Sequence, residues 1–215
     1  MKKFFLELLD WIYKKRCYCC SSSKEAVPIC SKCYNELEFN PPQPDRIIDG
    51  VDIFVAGVYE KILQKIIRGL KYHNKKDLAY YQAKFMYEYW KTLDINEQFQ
   101  VIPVPLHKTR QKQRHYNHME LVALEFCNLT GDIPNFELIK RIKHTKPQYK
   151  LSRSERMKNL ENAFSVDKDK LLSCPILLVD DICTSGATFE SMIAELRKNQ
   201  INNKIICFAT TSPYS

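Results

Sequence analysis

The thirteen residues from Ile176 to Thr188, ILLVDDICTSGAT, constrain the fold more than any other stretch. The unbroken apolar run Ile176–Val179 is the pattern of a central parallel strand. Helices cover both faces of such a strand, so it has no solvent side to carry polar residues. Two adjacent carboxylates, Asp180 and Asp181, close the run. They fall where open α/β sheets place their ligands, beyond the carboxyl ends of the strands. Thr184, Ser185, Gly186, Ala187 and Thr188 then open a helix, whose first N–H groups and positive dipole end suit a phosphate. Gly186 permits close approach of the backbone, and the hydroxyls of Thr184, Ser185 and Thr188 add donors. Phosphate on the amides beside two carboxylates fits a molecule with both a phosphate and a diol, as in a sugar phosphate. The plainer reading is a capped turn with two solvated acids. Adjacent carboxylates at a buried strand end repel, however, a cost that a purely structural turn has no need to carry.

The rest of the chain alternates in kind, as expected of an α/β domain with a mostly parallel sheet. Strands are expected at Val51–Tyr59, Gln100–Leu106, Phe136–Ile142, Asn162–Val166, the run from Ile176, and Lys204–Thr211. Helices are expected at Lys61–Lys71, Leu78–Trp90, Asn117–Asn128, Ser152–Leu160 and Ala187–Asn199. The prolines of Phe39–Arg46 make a stiff extended connector. The expected organisation is residues 1–40 as an appendage, 41–50 as connector and 51–215 as the α/β domain.

The appendage holds an amphipathic helix over residues 3–15 and a cysteine cluster. Lysines before the apolar run resemble a signal peptide, but Glu7 and Asp10 interrupt that run and no small-residue cleavage site follows. No stretch approaches the ~20 apolar residues needed to cross a bilayer. A cytoplasmic location is therefore expected, with the helix docked on its own protein or resting at the cytoplasmic membrane face. Thiols are reduced in that compartment, so clustered cysteines point to metal rather than disulfides. Cys17-x-x-Cys20 and Cys30-x-x-Cys33 have the spacing of a tetrahedral zinc knuckle, with Cys19 a weaker substitute for Cys17. Cys127, Cys174, Cys183 and Cys207 read as small core residues.

The net charge of +8 favours polyanionic partners. It concentrates in His107–His118, which holds Lys108, Arg110, Lys112 and Arg114 without an acid, and in Lys140–Lys158, which includes Arg153 and Arg156. Both stretches could be solvated loops. They could also neutralise a pyrophosphate or track a nucleic-acid backbone, with Tyr149 among the nearby stacking platforms. Single-stranded DNA suits them better than duplex, because no groove-reading helix motif is present. His107, His115 and His118 lack zinc-site spacing and read as loop donors.

From Val179 to Thr188 the chain resembles the phosphoribosyl-pyrophosphate (PRPP) motif of type I phosphoribosyltransferases, departing at Cys183, where that family favours an aliphatic residue. The resemblance implies a phosphoribosyltransferase-like domain. It assigns Asp180 and Asp181 to the ribose hydroxyls, residues 184–188 to the 5′-phosphate, Lys108, Arg110 and Arg114 to pyrophosphate, and Mg²⁺ to the bridge between pyrophosphate and ribose. Together with the cysteine cluster, the stretches Arg68–Ala79, Val101–His118 and Lys146–Phe164 resemble the competence protein ComF family, ComFC-like members in particular. That resemblance implies DNA uptake and natural transformation, single-stranded DNA as partner, a role for PRPP, and contacts with competence-machinery proteins. Where the family usually has Arg-Gly-Phe-Asn-Gln, this chain has Arg114-His115-Tyr116-Asn117-His118, and loss of the glycine stiffens a loop expected to close over pyrophosphate. A true phosphoribosyltransferase acting on a base or amine, and a non-catalytic PRPP sensor, are the alternative readings.

Overall fold

A computed structural model describes residues 16–107, 109, 111, 116–143, 160 and 162–213. The expected helices at 3–15 and 152–160 lie essentially outside these residues, as do Lys108, Arg110, Lys112, Arg114, Tyr149, Arg153 and Arg156. Strands are β1 (Arg46–Ile48), β2 (Val51–Val58), β3 (Gln100–Pro103), β4 (Ile133–Pro134), β5 (Ile139–Arg141), β6 (Phe164–Val166), β7 (Ile176–Ile182) and β8 (Ile205–Ser212). The α-helices are α1 (Ser31–Asn35), α2 (Lys61–Tyr72), α3 (Leu78–Trp90), α4 (His118–Thr130) and α5 (Ala187–Lys198).

Six strands form one sheet in the order β1-β2-β8-β7-β3-β4, parallel throughout except for the antiparallel β1–β2 pair. As its continuous apolar run requires, β7 is central, and helices cover both faces of the sheet. Leu177 and Val179 face a core shared with α2, α3 and α4, whereas Ile176 and Leu178 face a second core built on α5. This division follows from the period of two along a strand.

Two differences from the expected elements have local causes. The second half of the proline-rich connector forms β1, because Asp49 and Gly50 turn the chain back onto β2 with positive φ at both positions. Expected strands at 136–142 and 162–166 shrink to β5 and β6, an antiparallel pair apart from the main sheet.

The cysteine segment is not suspended on its connector. Cys17, Ile29, Cys30 and Cys33 belong to the same buried cluster as Ile66, Leu70 and Leu78 of α2 and α3. Phe39 stacks on Phe85 with ring centroids 4.5 Å apart, and Tyr89 Oη donates to the carbonyl of Pro41 at 2.9 Å. Gly69 makes the docking possible. A Cβ there would collide with Leu78 Cδ1 and lie 3.0 Å from Tyr18 Cε1. Gly69→Ala is expected to lower stability by roughly 1–3 kcal/mol despite alanine's better helix propensity, an overpacking cost that urea titration measures. An unchanged midpoint would show that Tyr18 and its turn move aside freely.

Candidate functional site

The site builds on the carboxyl edge of the sheet. At the end of β7 the pleat turns the two aspartates to opposite faces, Asp181 with Leu177 and Val179, Asp180 with Ile176 and Leu178. They are neighbours in sequence but occupy different surroundings.

Asp181 is buried and held by side chains from two helices. Lys71 Nζ, in the last turn of α2, lies 2.7 Å from Asp181 Oδ2. His118 Nε2, at the first residue of α4, hydrogen-bonds the same oxygen. Burial alone would raise the Asp181 pKa, but the charge and hydrogen bonds of Lys71 and His118 outweigh it and hold the carboxyl well below the usual range. Lys71 is held charged in return. Asp180, on the other face, is pushed up to about 8 by burial and by the Asp181 charge, with Lys71 and Arg141 pulling the other way. Its Oδ1 accepts the N–H of Asp181 at 2.9 Å. At neutral pH the pair is thus one carboxylate and one largely protonated acid, which relieves the like-charge repulsion expected of two adjacent ionised groups.

His118 is therefore no loop donor but a buried first-turn residue. Asn117 sets it there by capping α4, its side chain accepting the N–H of Met119 at 3.1 Å. His107 does lie in a loop, against Thr109.

The turn after β7 is braced by β1. Arg46 Nη1 donates to the Thr184 carbonyl at 2.8 Å, and Arg46 Nε pairs with Asp45 at 2.6 Å. Gly186 has φ +80° and caps α5, and a Cβ there would lie 2.5 Å from Ile48 Cδ1. The close approach this glycine permits is thus used by Ile48. Thr184, Ser185 and Thr188 are half-buried and Ala187 is buried, so the hydroxyls stand at the entrance to the helix N-terminus. Cys183 is a buried thiol raised to about 11, chiefly by burial.

The four cysteines converge as their spacing requires. Sγ atoms of Cys17, Cys20, Cys30 and Cys33 all lie within 4.8 Å of one another, and those of Cys20 and Cys30 are 3.6 Å apart. Thiolates around one tetrahedral ion with 2.3 Å bonds would be about 3.8 Å apart, so the set fits a single metal. Ser21, with φ +61°, closes the first turn by donating its N–H to the Cys17 carbonyl at 2.7 Å. In the second, Cys30 stands as the N-cap of α1 and Cys33 is buried within it. Cys30 N–H points at Cys17 Sγ, 3.4 Å away, as it would toward a thiolate. Cys19 stands outside the cluster, its carbonyl accepting from Lys65 Nζ at 2.8 Å.

The sequence pointed to the acid pair, the turn and the cysteines, but not to Lys71 as a partner of Asp181 nor to Arg46 as a brace. A lysine in a helix last turn signals only its favourable position against the dipole. Its partner lies 110 residues away across the fold, and no local pattern carries that pairing.

An α/β protein with an acid pair at the carboxyl edge and a four-thiol cluster docked on its helices is the class that this fold and site define. No protein-family model matches the chain. It is 30% identical over 199 residues to competence protein F of Haemophilus influenzae, covering 85% of this chain and 84% of that protein. The chain belongs to the competence protein F family. DNA utilization protein YhgH of Salmonella typhimurium is 23% identical over 174 residues, 79% of this chain and 72% of that one. Among solved structures, the allosteric regulatory enzyme of purine biosynthesis aligns over 84% of this chain and 30% of its own, with 14% identity and a TM-score of 0.39. Adenine phosphoribosyltransferase from Thermoanaerobacter pseudethanolicus aligns over 83% and 98%, with 12% identity and a TM-score of 0.35.

Proposed function

We propose that the chain is a DNA-handling competence protein that binds PRPP with Mg²⁺ at the carboxyl edge of its sheet and works in the cytoplasm. The observation that carries the ligand reading is the juxtaposition at the end of β7 of an acid pair and a turn whose hydroxyls and glycine open α5. Phosphate on the α5 amides would place a ribose diol within reach of the aspartates. Mg²⁺ would neutralise the pyrophosphate, and the acid pair would hold the sugar. Relatives named for competence and for DNA utilization support the DNA half of the reading.

Among the described residues, α2 offers a surface for that partner. Its outward stripe Lys61, Lys65, Arg68 and Tyr72 is exposed, spaced four, three and four residues apart, and the helix contains no acid. Exposed His73, Lys75 and Lys76 extend it. A row of cations ending in an exposed tyrosine suits a flexible phosphate backbone and a stacked base. Lys108, Arg110, Lys112, Arg114, Arg153 and Arg156, with Tyr149, are proposed to extend the anion-binding surface. Four soft thiolates in tetrahedral reach select zinc as the metal.

Calorimetric titration of PRPP with Mg²⁺ tests the central claim. The wild type is expected to bind, and Asp180→Asn/Asp181→Asn to lose binding by at least about a hundredfold, since the Asp181 charge is removed and each side chain keeps one acceptor oxygen where it had two. A wild type that does not bind would refute the PRPP reading. Pyrophosphate release with acceptor bases or amines then separates transfer from sensing.

A further inference from the structure

Two helices direct largely buried side chains, a lysine and a histidine, at one carboxylate oxygen. Lys71 Nζ at 2.7 Å and His118 Nε2 both engage Asp181 Oδ2. All three side chains are largely buried. Taking such an ion pair out of water costs several kcal/mol per charge, and as a stability device it is often no better than packed hydrophobes. The arrangement is also tied from a second direction. Tyr116, in the segment that leads into α4, donates its hydroxyl to the Leu70 carbonyl at 2.6 Å, one residue before Lys71. Asn117 caps α4 and donates to the Val104 carbonyl at the end of β3, at 3.4 Å. The end of α2, the start of α4 and the end of β7 are thereby locked around a single carboxylate at the ligand edge of the sheet.

We propose that Lys71 and His118 are positioning residues that hold Asp181 as a one-oxygen acceptor, with Oδ1 presented to a hydroxyl of a ribose 5-phosphate diol. The inference rests on the PRPP reading and adds residues to it. It also explains how a polyanion is tolerated beside two acids: Lys71 cancels the Asp181 charge within the protein, so the ligand does not meet bare carboxylates. Neither residue is expected to touch the 5′-phosphate, which belongs to the α5 turn on the other side of Asp181.

That division of labour sets the test. Ribose 5-phosphate and inorganic phosphate are titrated by calorimetry without metal, and PRPP with Mg²⁺, into the full-length wild type and the variants Lys71→Met, Lys71→Arg, His118→Leu and His118→Gln. Thermal melts confirm that each is folded. In Lys71→Met and His118→Leu, the ratio of ribose 5-phosphate affinity to phosphate affinity is expected to fall by about tenfold or more, because the acceptor is misplaced while the turn remains. His118→Gln keeps an N–H donor and is expected to stay within about threefold of the wild type. Lys71→Arg is expected to recover part of the loss. An unchanged ratio in both disruptive variants, with wild-type PRPP binding intact, overturns this inference alone. Absence of PRPP binding in the wild type overturns the reading beneath it. A stability cycle of Lys71→Met with Asp181→Asn covers the case of a poorly folded single variant. The double variant, with no buried lone charge, is expected to melt above Lys71→Met. Equal melting of the two would show that the pair is not formed and would also overturn the inference.

Discussion

Cys33→Ala is expected to leave the protein without metal and to lower its melting temperature by about 6–12 °C. The wild type should carry close to one zinc per chain by elemental analysis, and the variant close to none, because three thiolates hold the ion far more weakly than a closed tetrahedron. The stability loss follows from where the cluster sits. Cys33 lies in the same buried cluster as Ile66, Leu70 and Leu78, and Tyr18, in the first cysteine turn, packs at Gly69 and hydrogen-bonds His73. Without the ion, four thiols within 4.8 Å of one another lose the bonds that tie the two turns together. Roughly 3 kcal/mol lost in a chain of this size gives that shift. Because α2 carries both the docking glycine and Lys71, metal loss is also expected to weaken PRPP binding. If the purified protein holds no metal and Cys33→Ala melts with the wild type, the thiols are packing alone.

How much of this was legible beforehand depends on the range over which each feature is encoded. The strand Ile176–Ile182 declares itself by an apolar run, helix Leu78–Trp90 by its periodicity, and the metal cluster by two short spacings, all within a few residues. The opposite facing of Asp180 and Asp181 is implicit in the period of two, although adjacency in sequence suggests a single pair. Arg46, Lys71, Gly69 and His118 were silent because their partners are distant. Arg46 reaches residue 184, Lys71 and His118 reach residue 181, and Gly69 accommodates residue 18. Such contacts exist only once the sheet order brings β1, β7 and the two helices to one edge. Strand β1 was hidden for a different reason. Prolines suggest a connector, and only the turn at Asp49 and Gly50 reveals that the chain comes back.

The same geometry predicts that the acid pair destabilises the ligand-free protein at neutral and alkaline pH. The Asp180 pKa is raised to about 8, from near 4 in the unfolded chain. Between those values the folded state binds more protons than the unfolded state, so unfolding free energy falls as pH rises. Asp181 has the opposite shift: its contribution is present above pH 4 and is lost as the pH falls below that. The two windows do not overlap, so of the acid pair only Asp180 contributes to the slope between pH 5 and pH 8. A ceiling of about 1.4 kcal/mol per pH unit applies, and partial solvent access reduces it. A loss of roughly 2–3 kcal/mol from pH 5 to pH 8 is expected, some 4–12 °C in melting temperature. Asp180→Asn removes the titration but keeps an acceptor for the Asp181 N–H. It is expected to melt with the wild type at pH 5 and above it at pH 8, while binding PRPP more weakly at both. A variant that gains stability where it loses ligand would identify Asp180 as a residue held against the fold's own preference. Equal destabilisation of Asp180→Asn at both pH values would mean that the carboxyl is ionised throughout, and that Lys71 and Arg141 outweigh its burial.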